Sequence, residues 1–387
     1  MRILMVNLWK MINSAGGAEK VFCEMANMLS ERGHCVTSIA FDKNKGMPFY
    51  PVNENVKFIN SGQGCKLGKN WWQKIRASFY SKDEKELYSE KIYDDIRSKR
   101  LAPFVNEKDF DVIISYNPSA TRILINKLKV KTPIITMFHV YPETILKNMS
   151  SLTKIALEKC SVIQVLLPSY VNITRKYIDN KIVVIPNIVP QYSNSECHKE
   201  KSIVNVARID GQTKRQILLI EAFNKIKTKY PDWKLEFWGD IDYDKKYYKK
   251  CQNMISRHKL SEQVFFGGAT DNVLDVYNKA AIFAFPSAYE GFGLALTEAM
   301  SAGLPVIGYK NCPAVNELIK DGENGYLCED GVNAFAQALD KLMSDEKLRK
   351  KMGKAAKEDM KQYDSEKIWD MWEKLIKQVA QGNLSNH

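Results

Sequence analysis

Between Ile282 and Pro305 the sequence leaves the chain little freedom. Ile282-Phe283-Ala284-Phe285 is an uninterrupted apolar run of strand length and reads as a buried strand. Pro286-Ser287 ends it, and a loop carrying Glu290, Gly291 and Gly293 follows. A helix is expected from about residue 294 to 302, stopped by Gly303 and Pro305 as a C-terminal glycine and a following proline should. A buried strand joined through a glycine loop to a helix is the repeating half of a βαβ unit, and such units build parallel sheets flanked by helices. The turn also presents backbone N–H groups and the positive end of a helix dipole to an anion. Glu290 sits on the loop and Glu298 about one turn inside the helix, so the two carboxylates reach different parts of one ligand. That ligand should be anionic at one end and rich in hydroxyls at the other.

The same alternation runs along the whole chain. Residues 3–8 (ILMVNL) form a first strand, and a loop with Gly16-Gly17 leads into a helix that keeps Val21, Phe22, Met25, Met28 and Leu29 at helical spacing. Gly33 ends that helix, and residues 35–41 complete a βαβ unit whose glycine turn lets backbone approach a phosphate. The turn is not G-x-G-x-x-G, which weakens a dinucleotide reading. Strands follow at 111–116, 134–139, 161–167 and 181–185. After the polar, aperiodic stretch 191–202 a second set begins, with strands at 203–207, 234–238 ending at Gly239, 264–268 ending at Gly268, 282–285 and 305–308. Expected are an α/β fold with a first domain over 1–190, a linker over 191–202 and a second Rossmann-like domain over 203–364. A lysine-rich stretch, 344–361, reads as solvated helical surface. The last helix, 365–380, sets Ile368, Met371, Trp372, Leu375, Ile376 and Val379 on one stripe.

At 387 residues the chain is long for one core, and its 45% hydrophobic, 26% charged composition is that of a globular protein. No apolar stretch approaches the roughly 20 residues of a spanning helix. The N-terminal MRILMVNLWKMI reads as a first strand rather than a signal peptide, which points to the cytoplasm. The eight cysteines (Cys23, Cys35, Cys65, Cys160, Cys197, Cys251, Cys312, Cys328) show no C-x-x-C pair and no metal spacing with histidine, and are expected reduced and mostly buried. A net charge of +12 fits nucleic acid, an anionic membrane or an anionic substrate, and composition does not choose. Residues 66–82 hold five basic residues and no acidic one, interleaved with Trp71, Trp72, Phe79 and Tyr80. One reading is contact with an anionic bilayer or the acceptor through Lys69, Trp71, Trp72, Lys74 and Arg76. The other is a solvated helix whose tryptophans are core. No nucleic-acid motif accompanies the segment.

The string Glu290-Gly-Phe-Gly-Leu-Ala-Leu-Thr-Glu298-Ala-Met, with Pro286-Ser287 before it and Gly303-Leu304-Pro305-Val306-Ile307 after it, resembles the E-x7-E motif of retaining GT-B glycosyltransferases, in particular glycosyltransferase family 4. Gly16-Gly17-Ala18-Glu19 is similar to the family's loop over the donor diphosphate. Arg208 and Lys214, followed by Leu219-Ile220-Glu221-Ala222-Phe223, resemble its diphosphate-binding pair, at a spacing of six where many members have one residue fewer. The resemblance implies two Rossmann-like domains facing each other across a cleft, with a C-terminal helix (about 365–387) crossing back to the N-terminal domain. It implies a retaining transfer of a hexose or N-acetylhexosamine from a nucleotide sugar, a UDP-sugar first, to a glycan or lipid-linked saccharide in surface polysaccharide or glycoconjugate synthesis. No metal and no other cofactor is expected. Gly16, Gly17, Arg208, Lys214 and the backbone of Gly291, Phe292, Gly293 and Leu294 would hold the diphosphate. Glu290 would contact sugar hydroxyls and Glu298 the ribose, and the base would lie between the region of Gly239 and Gly268 and the Pro286 loop. His139, at the end of a strand, matches the histidine placed by the donor sugar; with Glu290, Arg208 and Lys214 it makes the expected catalytic set. Asp109-Phe110-Asp111 looks like a metal-binding D-x-D but introduces a strand, and is taken as incidental. Rival readings are a sugar-nucleotide epimerase or phosphorylase of the same architecture, a Rossmann oxidoreductase, and a non-catalytic sugar-nucleotide-binding subunit of another transferase. The full E-x7-E string weighs against the epimerase, the lack of a cofactor-lysine signature against the phosphorylase, the missing dinucleotide fingerprint against the oxidoreductase, and the intact Glu290, Glu298, Arg208 and Lys214 against the silent subunit.

Overall fold

A computed structural model of the chain describes residues 1–14, 16–65, 67–193 and 200–383. The apolar runs fold as short parallel strands, because a strand covered by helices on both faces has no polar face to show. They are β1 (Arg2–Asn7), β2 (Cys35–Ala40), β3 (Lys57–Asn60), β4 (Val112–Ser115), β5 (Ile134–Met137), β6 (Val162–Val165), β7 (Ile182–Val184), β8 (Ser202–Val206), β9 (Lys234–Trp238), β10 (Val264–Gly268), β11 (Ile282–Phe285), β12 (Val306–Tyr309) and β13 (Gly325–Cys328). Every residue of β4, β5, β6, β11 and β12 is buried. Among the described residues they form two parallel sheets, ordered β3-β2-β1-β4-β5-β6-β7 and β10-β9-β8-β11-β12-β13. The chain is therefore α/β with two Rossmann-like sheets, as expected from the sequence.

The chain divides into two compact units. Unit 1 takes residues 1–186 together with those from Trp369 onward, and unit 2 runs from Asn187 to Ile368. In each sheet the strand order reverses once, between β1 and β4 in unit 1 and between β8 and β11 in unit 2. At such a point the loops leaving the carboxyl ends of neighbouring strands diverge and leave a crevice, the ligand position of open α/β sheets.

Unit 1 departs from the sequence reading in three places. The short edge strand β3, Lys-Phe-Ile-Asn, was not expected, since two of its four residues are polar. Residues 71–101 form two helices, α2 (Trp71–Ser78) and α3 (Lys82–Leu101), each opened by a capping box, Asn70 with Gln73 and Ser81 with Glu84. Ala77 is the one residue of α2 that is buried, so Trp71 and Trp72 are not core. Helix α3 is anchored instead by a buried ion pair, Arg122 gripping Asp94 bidentately at 2.7 and 2.8 Å and reaching Glu90 at 2.7 Å. Asp111 pairs with Arg2 at 2.7 Å and fastens the start of β1, which gives Asp109-Phe110-Asp111 a structural task.

The C-terminal helix Ser365–Ala380 buries Ile368, Trp369, Trp372, Leu375, Ile376 and Val379. Met371, expected in the stripe, is exposed, and Trp369 takes its place. Arg32 reaches Asp370 at 2.8 Å and His34 Nε2 lies 2.9 Å from Glu373, tying this helix to the end of the helix Gly17–Glu31 (α1). The lysine-rich helix Glu346–Met360 is not merely solvated surface. It buries Met352, Gly353, Ala356 and Met360 along one face, because its cations sit between those positions. At the linker, the Val189 amide donates to the Tyr363 carbonyl at 3.0 Å and Gln191 to Met360 at 3.1 Å. Residues 194–199 of the expected linker, with Cys197 among them, and Lys66 lie outside the described residues, and the last linker residue expected, Ser202, already belongs to β8. The seven described cysteines are free, and all but Cys35 are buried. Among the described residues no helix is long and apolar enough to cross a membrane.

Candidate active site

In unit 2 the reversal between β8 and β11 gathers the residues expected to bind a diphosphate. The loop after β8 carries Arg208 and Lys214, and the loop after β11 carries Glu290. The Lys214 ammonium meets the Glu290 carboxylate at 2.5 Å, with the two side chains only 14% and 11% exposed. Lys214 also lies 5.1 Å above the Phe285 ring, so its charge is held between a carboxylate and an aromatic face. The loops are stitched together by backbone, the Ala288 amide donating to the Thr213 carbonyl at 2.8 Å.

Arg208 is held differently. Its guanidinium stacks 4.5 Å above the exposed Tyr243 ring and reaches Asp210 at 3.1 Å. Burial pushes the Asp210 carboxyl up, but hydrogen bonds from the Thr213 hydroxyl and the Gln212 and Thr213 amides, with the Arg208 charge, outweigh it and hold the group below its usual value. Asp210 therefore stays ionised and holds one end of the Arg208 guanidinium, with donors of its fork still available.

The helix after β11, Leu294–Ser301, starts from Gly293 at φ 79°, ψ 53°, with no side chain capping it. That left-handed conformation is cheap only for glycine, and it leaves the first-turn amides of the helix to an outside acceptor. Phe292 contributes backbone only, since its ring is buried and meets Tyr363 edge-on at 5.4 Å. Glu298 is buried in the helix, with the Tyr277 hydroxyl 3.4 Å from its carboxylate. Burial first, then the Glu298 charge, push the Tyr277 phenol well above its usual value, so it stays a donor. Gly239 ends β9 at φ 142°, where a Cβ would collide with the Ala207 carbonyl, and its amide donates to Gly268 at 2.8 Å. Gly239 thus sits against the strand end from which Arg208 emerges, with Gly268 one strand further out.

In unit 1 the expected residues surround the other reversal point. Gly16 and Gly17 lie at the start of α1, where the Glu19 side chain folds back against Gly16 and accepts from Ser14 at 2.8 Å. Tyr116, at the end of β4, donates to the Ala18 carbonyl at 2.7 Å and stacks on His139 with ring centroids 3.7 Å apart. His139 follows β5. Both its ring nitrogens are buried without a hydrogen-bond partner, and burial pushes the imidazole down to about 3. His139 is therefore neutral at physiological pH, with one N–H donor and one acceptor unused.

Three contributors were not singled out in the sequence. Arg215 takes a left-handed conformation (φ 51°) and ties the two unit 2 loops together, donating to the Pro286 carbonyl at 3.0 Å and the Ser287 carbonyl at 3.3 Å, with Asp330 at 3.2 Å. Its position beside Lys214 was the only available signal. Tyr243 and Tyr116 are aromatic residues whose stacking partners lie far off in sequence. Among the described residues no three His, Cys, Asp or Glu side chains gather as a metal site would need.

Residues 192–359 match the family model described as Glycosyl transferases group 1. The chain superposes on S. aureus TarM, crystallised with Fondaparinux, alpha-GlcNAc-glycerol and UDP, with a TM-score of 0.75 and 17% identity over 97% of this chain and 99% of that one. The fold is GT-B. Curated relatives at full length include the N-acetyl-alpha-D-glucosaminyl L-malate synthase of Bacillus anthracis, 25% identical over 95% of both chains. The GalNAc-alpha-(1->4)-GalNAc-alpha-(1->3)-diNAcBac-PP-undecaprenol alpha-1,4-N-acetyl-D-galactosaminyltransferase of Campylobacter jejuni is also 25% identical, over 95% of this chain and 96% of its own. The homologues of this GT-B chain are thus glycosyltransferases of polysaccharide and glycoconjugate synthesis, and the family match falls on unit 2, where Arg208, Lys214, Glu290 and Glu298 lie.

Proposed function

We propose that the chain is a retaining glycosyltransferase of family 4 type. It moves a hexose or N-acetylhexosamine from a nucleotide sugar, a UDP-sugar first, to a glycan or lipid-linked saccharide in the cytoplasm, without a metal. The observation that carries this reading is the partly buried Lys214–Glu290 pair beside an uncapped helix N-terminus at the reversal point of the unit 2 sheet.

Glycosyl transfer breaks the bond between the anomeric carbon and the diphosphate, so positive charge grows on the sugar while negative charge grows on the leaving group. The leaving group needs fixed cations and N–H donors, and the sugar needs positioning. Lys214, Arg208 and the first-turn amides from Leu294 onward supply the former. Glu290, an acceptor only, suits sugar hydroxyls and would be repelled by phosphate unless Lys214 stood beside it. Buried Glu298 suits a ribose diol by the same logic. Gly17 and His139 enter through the family pattern, His139 as a neutral donor or acceptor to the sugar. The UDP held by TarM and the sugar acceptors named for the relatives support the substrate class.

The test is transfer from radiolabelled UDP-sugars to lipid-linked saccharide extracts, in EDTA, with Glu290→Ala and Arg208→Ala as variants. Transfer that survives EDTA, is lost in both folded variants and gives an anomeric configuration matching the donor by NMR supports the reading. Full activity in either variant refutes the site.

A further inference from the structure

Helix α2 is amphipathic the wrong way round for a helix that belongs to a core. At about 100° per residue, Trp71, Trp72, Ile75 and Phe79 fall within one arc of roughly 100°, while buried Ala77 lies on the opposite side. The helix therefore docks by its small residue and turns its apolar arc outward. Trp71, Trp72 and Phe79 are 64%, 70% and 83% exposed, with the two indoles edge to face at 4.5 Å. Lys74 and Arg76 flank the arc, one on each side. Arg76 also fixes the helix, bonding the Tyr80 hydroxyl at 3.0 Å and lying 5.6 Å above the Tyr88 ring of α3.

A second exposed apolar segment belongs to the same unit. The loop after β2 exposes Met47 (58%) and Phe49 (54%) beside Lys43 and Lys45. It is stitched to the segment leading into α2, the Gly64 amide donating to the Lys43 carbonyl at 2.9 Å and Asn60 to the Asn44 carbonyl at 2.8 Å. From Lys43 to Tyr80 the sequence holds seven basic residues and one acidic one, Glu54. Exposed apolar patches of this kind mark an interaction surface. A partner of ordinary protein composition would not need so one-sided a charge, whereas an anionic bilayer takes up tryptophan and phenylalanine at its headgroup boundary and attracts the flanking lysines.

The geometry points to α2 and the 43–49 loop as one docking surface for an anionic phospholipid bilayer, with Trp71, Trp72 and Phe79 entering the headgroup boundary and Lys45, Lys69 and Lys74 above it. The inference rests on the proposed function only for its purpose, holding the chain beside a lipid-linked acceptor.

The test is sedimentation of the full chain with vesicles of phosphatidylcholine, alone or mixed with phosphatidylglycerol. Binding is expected to the mixed vesicles alone and to fall with salt. Each basic residue near an anionic surface contributes on the order of fivefold, so Lys45→Gln with Lys69→Gln and Lys74→Gln should weaken partitioning by roughly a hundredfold. Trp71→Ala with Trp72→Ala and Phe79→Ala should abolish the blue shift of tryptophan emission on vesicle addition. No binding by the wild type, equal binding to neutral vesicles, or unchanged binding in either triple variant overturns the proposal. So does a dimer dispersed by the aromatic variant, which would give the face to a second copy. Thermal stabilisation by UDP in the same samples reads the donor site and folding separately, so a failure of either reading is told from a failure of the other.

Discussion

His139 offers the sharpest quantitative prediction. Its imidazole stacks on Tyr116, keeps both nitrogens buried and is pushed by burial down to about 3, against an unfolded value of 6.5. Above pH 6.5 both folded and unfolded chains hold it neutral, and its contribution to stability is fully present. Between 6.5 and about 3 the unfolded chain binds a proton that the folded chain refuses, so stability falls as pH falls. Applied between pH 6 and pH 4, that downward shift gives a loss of roughly 2–3 kcal/mol from this one group. His139→Phe keeps an aromatic ring against Tyr116 and removes the titration, so the stability difference between wild type and variant should shift by that amount over the interval. The direct assay is proton NMR of the imidazole Cε1–H resonances, with the His139 signal identified by its loss in the variant. At pH 5 the imidazole should remain almost wholly neutral in the folded chain. A titration midpoint near 6.5 would refute both the burial argument and the neutral role given to His139.

Other perturbations test the site and its support. Lys214→Met should lower transfer by roughly 10²–10³, about 3–4 kcal/mol of transition-state stabilisation, in a protein whose circular dichroism is unchanged; a loss under threefold would contradict its role on the leaving group. Arg215→Ala removes the bonds that tie the two unit 2 loops together and should cost roughly ten- to a hundredfold in kcat/KM through misplacement of Lys214 and Glu290, with partial rescue in Arg215→Lys. Gly239→Ala drives a Cβ into the Ala207 carbonyl and should destabilise by roughly 2–3 kcal/mol, read as a fall in Tm; an unchanged Tm would mean that the turn relaxes freely. Arg122→Leu strands the buried Asp94 carboxylate and should cost roughly 3–5 kcal/mol, with Asp94→Leu in the same chain restoring much of it.

Much of this was legible in the sequence. Parallel strands covered on both faces are written as continuous apolar runs, so β4, β5, β6 and β11 stand out, whereas edge strand β3, half polar, does not. The strand–glycine–helix turn at Phe285–Leu294 is likewise local. The Lys214–Glu290 pair is not, because residues 76 positions apart meet only once the strand order reverses between β8 and β11. Tyr116 under His139 and Tyr243 under Arg208 gave no signal either, because each pair meets only where loops leave neighbouring strands. Trp71 and Trp72 were ambiguous because tryptophan at helical spacing reads alike whether it faces a core or the outside; their exposure opposite buried Ala77 rules out the core reading. The solvated reading of residues 344–361 failed because lysines outnumbered the four small or sulfur-bearing residues that form the buried face.

The central claim is that the unit 2 loops hold a nucleoside diphosphate sugar, and thermal stabilisation by a panel of sugar nucleotides in EDTA, with UDP, GDP and NAD alongside, tests it most directly. A ligand at 100 times its Kd adds about 2.7 kcal/mol of stability. The account predicts a shift with UDP and its sugars that survives EDTA and is lost in Lys214→Met. No shift with any sugar nucleotide, or a shift with NAD alone, would contradict it.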